Sequence, residues 1–358
     1  MTYLPDLLFI EMTRACEYSC IHCRASSIES PDPDDLNLME IERIIDEMEI
    51  INNKCVVILT GGDPIMSPHF IPVIKYLNMR RIKFSVSPPA SPLLGFELLD
   101  FLNENGIGSL SMSIDGTPAM HDTIRRKKGS FRDTTAIIEM AKDLGMRLQV
   151  NSTVMMRNFF DFPAILKTLL DLNVKVWEVF FLINVGRGVS EKSINREQFE
   201  DFLKFLYGVE SNTNISIRTV EGPEYRRIKE QLANSDTITG GIYFNELASI
   251  TEKLVGIDIR KTIKKPQNGR RIKTQFVSSD GNVMISGLFP FVIGNIRKSE
   301  LHSVLENPML SKLYEKNEYA GKCGKCQYFE ICGGSRPRAY AQTGNPLASD
   351  PICIYNPA

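Results

Sequence analysis

Seven of the eight cysteines in this 358-residue chain fall into two groups. The first group lies near the start and comprises Cys16, Cys20 and Cys23. The second lies near the end and comprises Cys323, Cys326, Cys332 and Cys353. Disulfides are rare in a reducing cytoplasm, whereas thiolates are ligands for zinc and for iron–sulfur clusters. The grouping therefore predicts metal or cluster ligation.

The first group places three thiolates on one loop, with three and then two residues between them. A 4Fe-4S cluster usually takes four cysteine ligands, so three ligands leave one iron free to bind a molecule that reacts. The alternative is a zinc site completed by His22, because thiolate and neutral imidazole both suit zinc.

This C-x3-C-x2-C spacing, directly after a first predicted strand, resembles the motif of the radical S-adenosylmethionine (SAM) superfamily, and the resemblance covers nearly the whole chain. In that family the open iron binds the amino and carboxylate groups of SAM. An electron from the cluster cleaves SAM to a 5′-deoxyadenosyl radical, which abstracts a hydrogen atom from the substrate. The resemblance implies a 4Fe-4S cluster and SAM as cofactors, with an electron donor such as ferredoxin or flavodoxin.

Gly61, Gly62 and Asp63 follow the second predicted strand and resemble the family's Gly-Gly-Glu segment, with Asp in place of Glu. The resemblance implies that they receive the amino group of SAM. Glycines let the backbone approach a ligand closely, and a carboxylate accepts hydrogen bonds from an ammonium group. Taken alone, Gly-Gly-Asp-Pro is also typical of an ordinary turn between a strand and a helix.

The segment 111–116 is similar to the family's Ser-x-Asp-Gly segment. The resemblance implies that Ser113 faces the ribose of SAM and that Arg125 binds its carboxylate, which a guanidinium can grip with two hydrogen bonds. Asn151, on the fifth predicted strand, is a further candidate for binding SAM. The alternatives are a small residue that fills the barrel for Ser113, a solvated charge for Arg125, and hydrogen bonding to backbone groups for Asn151.

The second cysteine group supplies four ligands, enough to close a site. A closed site of four cysteines is a common arrangement for structural zinc. Its spacing, C-x2-C-x5-C and a later cysteine, resembles SPASM and twitch domains, which bind auxiliary 4Fe-4S clusters. Because no cysteine lies between Cys55 and Cys323, the resemblance implies a single second, auxiliary 4Fe-4S cluster.

Short apolar runs alternate with amphipathic stretches over the first 220 residues, which is typical of βα units around a parallel sheet. Strands are predicted at 7–13, 55–60, 83–87, 109–115, 148–154, 175–183 and 215–220. Helices are predicted at 38–51, 70–77, 96–103, 134–144, 160–172 and 198–207. The predicted fold class is α/β: a partial (β/α)6 TIM-like barrel with a small C-terminal iron–sulfur domain of the twitch or SPASM type.

Three domains or segments are predicted. Residues 1–220 form the radical SAM core barrel, 221–275 a linker or substrate-facing insertion, and 276–358 the auxiliary-cluster domain. A hairpin is expected near the start of the last part, because Asp280-Gly281 is a turn signal between two β-rich runs.

Composition excludes several kinds of partner. A net charge of −1 and a pI near 6.5 give no general attraction to nucleic acid or to an anionic membrane surface. No apolar run is long enough to cross a bilayer, and the first residues lack the features of a secretory signal. We therefore expect a cytoplasmic protein with neither nucleic acid nor membrane as a partner.

The segment from Cys332 to Cys353 is similar to that of radical SAM enzymes that trim the side chains of heme precursors. A tetrapyrrole-like substrate would bring several carboxylates, for which arginines are suitable partners. The candidates are Arg187, Arg226, Arg227, Arg336 and Arg338, and each could equally be an ordinary surface arginine. The segments 180–188 and 218–227 are expected to line the substrate pocket.

Two alternatives stay open. Maturases of ribosomally synthesised peptides share the same two-part plan, so a peptide is a second candidate substrate. A non-catalytic iron–sulfur electron carrier or a zinc-stabilised binding module would cleave no SAM. The sequence indicates no general acid or base, so the catalytic residues stay unassigned.

Overall fold

A computed structural model describes residues 3–357, whose ten strands form one sheet. The order across the sheet is β10-β9-β8-β1-β2-β3-β4-β5-β6-β7. The strands are β1 (Leu7–Glu11), β2 (Val56–Thr60), β3 (Phe84–Val86), β4 (Leu110–Ser113), β5 (Leu148–Val154), β6 (Val176–Phe181), β7 (Ser216–Val220), β8 (Thr274–Val277), β9 (Asn282–Ser286) and β10 (Phe289–Asn295).

Helices connect the strands. Those of the first half are α1 (Leu38–Ile51), α2 (Phe70–Met79), α3 (Phe96–Glu104), α4 (Pro118–Arg125), α5 (Ser130–Asp143), α6 (Phe162–Asp171) and α7 (Arg196–Asn212). Those of the second half are α8 (Glu224–Leu232), α9 (Ile242–Val255), α10 (Leu301–Leu305), α11 (Pro308–Lys312), α12 (Gly321–Lys325) and α13 (Arg336–Thr343). No helix among the described residues is both long and apolar enough to span a membrane.

Strands β1 to β7 are parallel and adjacent in chain order, with a helix after each one. Alternate residues point to opposite faces of the sheet. One face belongs to the main apolar core, as at Leu8, Ile10 and Leu59, each 0% exposed. The other face carries half-buried polar side chains such as Asn151 and Glu178. Since helices cover the outside of such a barrel, the polar face is the interior, and the predicted α/β partial barrel is confirmed.

The C-terminal part begins by extending this sheet. Strand β8 pairs in parallel with β1, from Leu7 opposite Thr274 to Ile10 opposite Val277. Strands β8 and β9 form the predicted hairpin, whose turn has Gly281 at φ 83°, in the left-handed region that glycine adopts readily. The domain boundaries given above stay predictions.

The segment 221–275 contains two helices that the sequence did not predict, α8 and α9. Helix α9 packs against α6 and α7 through a narrow apolar stripe that includes the fully buried Phe244, Leu247 and Ala248. The rest of the segment 221–275 is rich in charged residues, and this overall polarity hid the helical period of α9.

Candidate active site

The first three cysteines lie on a loop that leaves the end of β1. The loop is held by its own backbone, with the Cys16 amide donating to the carbonyl of Ile28 at 2.9 Å and the Cys23 amide to that of Cys20 at 3.3 Å. Burial raises the pKa of Cys16 to about 12. All three thiols are free, and free thiols that share one loop are suitable ligands for cluster iron. The donor set thus fits an iron–sulfur cluster.

Arg187 fastens this loop to the segment after β6. Its Nε donates to the carbonyl of Cys20 at 2.9 Å, and Nη1 and Nη2 donate to the carbonyl and hydroxyl of Ser27 at 3.0 and 2.8 Å. The neighbouring Gly186 has φ 54°, and a Cβ there would lie 2.5 Å from the carbonyl oxygen of Cys23. The guanidinium of Arg187 is therefore engaged by the cysteine loop.

The Gly-Gly-Asp segment after β2 also fits against the chain that leads into the cysteine loop. The Gly62 amide donates to the carbonyl of Thr13 at 2.8 Å, and the Asp63 amide to that of Ala15 at 2.6 Å. A Cβ on Gly61 would lie 2.3 Å from the Thr13 oxygen, and one on Gly62 would lie 2.3 Å from the Ala15 oxygen. Both glycines are thus required by the approach of two backbone segments.

Asp63 is 0% exposed. Its Oδ1 accepts from the amide of Ile65 at 3.1 Å, while Oδ2 has no hydrogen-bond partner among the residues described. Ser91 is nearby, but the contact lacks hydrogen-bond geometry. Burial raises the pKa of Asp63, and its charge acts on Cys16. A buried carboxylate oxygen without a partner beside the cysteine loop fits an ammonium donor such as the amino group of SAM.

Arg125 forms an ion pair with Asp115 at 2.5 Å, and its Nη1 lies 3.9 Å from the sulfur of Cys20. Asp115 is 0% exposed and accepts from the amide of Thr153 at 2.8 Å. Burial would raise the pKa of Asp115, but the guanidinium of Arg125 and that amide hold it below its usual value. Of the Arg125 donors, Nε is buried and unpartnered within residues 3–357. Binding of the SAM carboxylate by Arg125 stays a prediction.

Asp115 is a residue whose role the sequence reasoning missed. Its signal was present, because an acidic residue at the end of a strand that is otherwise buried needs a cationic partner. The partner Arg125 lies only ten positions later on α4, a helix that the sequence did not predict.

Ser113 and Asn151 lie opposite each other on β4 and β5, and Glu178 of β6 lies opposite Asn151. The amide nitrogen of Gln149 donates to both Asn151 and Glu178 at 2.9 Å, and Arg218 donates to Gln149 at 3.3 Å. Ser113 and Asn151 therefore belong to a polar row across the barrel interior. Burial raises the pKa of Glu178. Gln149 and Glu178 were missed, although polar residues at alternate strand positions are their signal.

The four C-terminal cysteines line one cavity, together with Glu224, Arg227 and Gly333. Two backbone amides point at these sulfurs, that of Gly334 at Cys332 and that of Asp350 at Cys323, both at 3.4 Å. In the part of the chain that the structure describes, no three His, Cys, Asp or Glu side chains converge on a single-ion site. The four thiols therefore share one space in the fold.

A buried network joins the end of β7 to this cavity wall. Arg338 is paired with Asp350 at 2.8 Å, and the Ser335 hydroxyl donates to Glu221 at 2.5 Å. Arg336 is also buried, and its Nη1 donates to the carbonyl of Pro346 at 2.8 Å. Two of the arginines proposed for substrate carboxylates are therefore committed to the protein itself.

Comparisons with known proteins agree with this geometry. The model of the Radical SAM superfamily matches residues 10–169. The chain is 32% identical to AdoMet-dependent heme synthase of Methanosarcina barkeri, covering 100% of this chain and 98% of that protein. It is 29% identical to the AdoMet-dependent heme synthase of Nitratidesulfovibrio vulgaris, covering 98% and 92%.

Among solved structures, Streptococcus suis SuiB bound to precursor peptide SuiA superposes with a TM-score of 0.69 at 13% identity, over 98% of this chain and 76% of that one. At this identity the likeness concerns the fold alone. The full-length relationship to the heme synthase is closer and carries the family assignment. The chain belongs to the radical SAM superfamily, whose members are enzymes that use a 4Fe-4S cluster and SAM.

Proposed function

We propose that this enzyme cleaves SAM reductively and abstracts a hydrogen atom from a side chain of a tetrapyrrole heme precursor. One observation carries the SAM chemistry: three cysteines share a loop beside Asp63, whose buried Oδ2 lacks a partner among the described residues. The substrate class is supported by the full-length relationship to proteins named heme synthases.

When bound, a 4Fe-4S cluster with SAM on its open iron supplies the 5′-deoxyadenosyl radical. In our proposal Cys16, Cys20 and Cys23 hold that cluster, and Asp63 accepts the amino group of SAM. Gly61 and Gly62 let the Asp63 segment close against the cysteine loop.

The SAM-binding roles of the remaining residues follow from their position. Ser113 and Asn151 face the barrel interior and would orient the ribose. Arg125, held in place by Asp115, would bind the carboxylate through its unpartnered Nε. These residues fix where a radical would form, which is the protein's part in such chemistry.

We also propose that Cys323, Cys326, Cys332 and Cys353 hold an auxiliary 4Fe-4S cluster. The four thiols line one cavity, and their spacing resembles that of SPASM and twitch domains, which supports this proposal. Two amides aimed at the sulfurs would stabilise thiolate ligands.

The second candidate is maturation of a ribosomally made peptide. It is favoured by the fold shared with SuiB, solved with its precursor peptide. The closer and longer relationship to heme synthases favours the tetrapyrrole. For either substrate we propose a cytoplasmic enzyme that takes electrons from a ferredoxin or flavodoxin, because free thiols and a reduced cluster both need a reducing compartment.

The test is anaerobic reconstitution with iron and sulfide, followed by reduction in the presence of SAM and iron coproporphyrin III. Iron per chain, 5′-deoxyadenosine and porphyrin mass would be measured. A Cys16→Ala, Cys20→Ala, Cys23→Ala variant should lose about half the iron and all SAM cleavage. Cys55→Ala is the matched control, since Cys55 is buried, directly precedes β2 and belongs to neither cysteine group.

Zinc in place of iron, or iron without SAM cleavage, would contradict the proposed chemistry. SAM cleavage with no change in porphyrin mass would contradict the tetrapyrrole substrate and favour a peptide substrate.

A further inference from the structure

Two arginines near the C-terminal cysteines, Arg226 and Arg271, differ from their neighbours. Three neighbouring arginines have partners in the protein: Arg227 pairs with Glu200 at 2.6 Å, Arg338 with Asp350 at 2.8 Å, and Arg336 donates to the carbonyls of Pro346 and Ala348. Only Nε of Arg227 and Nη2 of Arg336 are buried without a partner among these three side chains, within residues 3–357. By contrast, neither Arg226 nor Arg271 has an acidic partner or a side-chain hydrogen bond within residues 3–357.

The guanidinium of Arg271 lies beside the wall of the cysteine cavity, and Arg226 belongs to a helix whose Glu224 and Arg227 line that cavity. A Cβ on Gly333, the residue after Cys332, would lie 3.1 Å from Nη2 of Arg271. Arg226 is in the first turn of α8. Burial and the like charge of Arg271 lower the pKa of Arg226. The two half-buried arginines therefore lie on chain segments that contact each other.

The protein holds the two arginines together. The Asn268 side chain donates to the carbonyl of Arg226 at 2.9 Å, which ties the segment before β8 to α8. Arg270 pairs with Asp6 at 2.7 Å, which anchors the same segment to the start of β1. Arg271 follows directly, and its guanidinium lies over the ring of Tyr314, 5.1 Å from the centroid.

Stacking on the Tyr314 ring uses the face of the guanidinium and leaves its N–H donors free in the plane. Like charges brought together out of water, without a counterion, are unfavourable. A carboxylate between the two guanidinium groups would relieve the repulsion and accept charge-assisted hydrogen bonds from both arginines. Such a pair is thus suited to bind an anion that arrives with a ligand.

We propose that Arg226 and Arg271 form a subsite for a carboxylate of the substrate, next to the auxiliary cysteines. This inference rests on the proposed function, because a heme precursor carries several propionates. The subsite would hold one edge of the macrocycle beside Cys332 and so set which side chains lie towards the barrel interior.

The test uses the reconstituted holoenzyme and absorbance titration with iron coproporphyrin III and with its tetramethyl ester. The variants are Arg226→Gln, Arg271→Gln and the double variant, and Arg132→Gln is the control because its side chain is 83% exposed. We expect the double variant to raise Kd for the free acid about tenfold to a hundredfold. The ester should bind wild type and double variant equally weakly.

Iron content and the reduction potential of the auxiliary cluster are measured on the same samples. Wild type that binds no iron porphyrin would overturn the proposed substrate and this subsite with it. Wild type that binds the free acid, with Kd unchanged in the double variant, would overturn the subsite alone. An altered potential with unchanged Kd would likewise overturn it and assign the two charges to the cluster.

Discussion

Replacement of Arg187 by alanine tests whether this residue holds the cysteine loop. The side chain donates to Cys20 and twice to Ser27, so the variant leaves three acceptors on the loop without that donor. A hydrogen bond from a charged donor contributes about 1.5–3 kcal/mol when buried. Arg187 is half-buried, so about 1 kcal/mol for each bond, or about 3 kcal/mol in total, is the expected loss.

The assay is anaerobic urea unfolding of the apoprotein, together with iron retention after reconstitution. Because the loss falls on the loop that carries Cys16, Cys20 and Cys23, we expect Arg187→Ala to lose iron and SAM cleavage together. Arg157→Ala is the matched control. Arg157 pairs with Glu191 at 2.8 Å but is 40% exposed, so its loss should cost less than about 1 kcal/mol.

The opposite result would be equally informative. If Arg187→Ala unfolds like wild type, keeps its iron and shows only a raised KM for substrate, Arg187 contacts substrate and the structural reasoning is wrong. Arg187→Lys should restore little of the stability or iron retention, because an ammonium group cannot donate to Cys20 and Ser27 at the same time as the planar guanidinium does.

Three further predictions concern the cysteine loop and its surroundings. Asp63→Asn keeps the acceptor for the local turn and removes the charge, so Kd for SAM should rise about tenfold to a hundredfold while iron content stays unchanged; equal affinity in both proteins would exclude an ion pair. Gly62→Ala should abolish iron binding by the cysteine loop because its Cβ would lie 2.3 Å from the carbonyl oxygen of Ala15, whereas Gly95→Ala, with nothing within 4 Å, should be harmless; iron analysis checks both. Burial lowers the pKa of His121 to about 4, so the unfolded chain binds the extra proton between pH 6.5 and 4, and stability should fall by up to about 3 kcal/mol as pH decreases through that window. His121→Gln should flatten the pH profile of urea unfolding, and an unchanged slope would show that other groups dominate.

Local sequence determined much of the barrel. The predicted strand 148–154 is β5 residue for residue, because apolar residues at every second position favour a strand. The predicted helix 38–51 is α1, because apolar residues with a period of 3.6 favour a helix. The glycines after β2 were also recognised in the sequence. Their physical reason, contact with the backbone of Thr13 and Ala15, could not be, since it depends on how close two loops come.

Helices α4, α8 and α9 were missed because their apolar stripes are narrow and interrupted by charges. Their burial comes from partners distant in the chain, as when α9 packs on α6 and α7. Tertiary contacts of this kind override weak local preference.

The sequence alone was enough to predict the cluster ligands, because the types and spacing of the cysteines are local properties of the chain. Only the tertiary structure decided which charged groups are free. Five arginines were equal candidates for binding substrate carboxylates. In the folded protein, Arg227 pairs with Glu200, Arg338 pairs with Asp350, and Arg336 donates to backbone carbonyls. Arg187 donates to the cysteine loop. Arg226 has no such partner among the described residues, and its backbone instead contacts the segment that carries Arg271, 45 positions further along the chain. The sequence gives the charge of a side chain, but long-range packing decides which groups that side chain contacts.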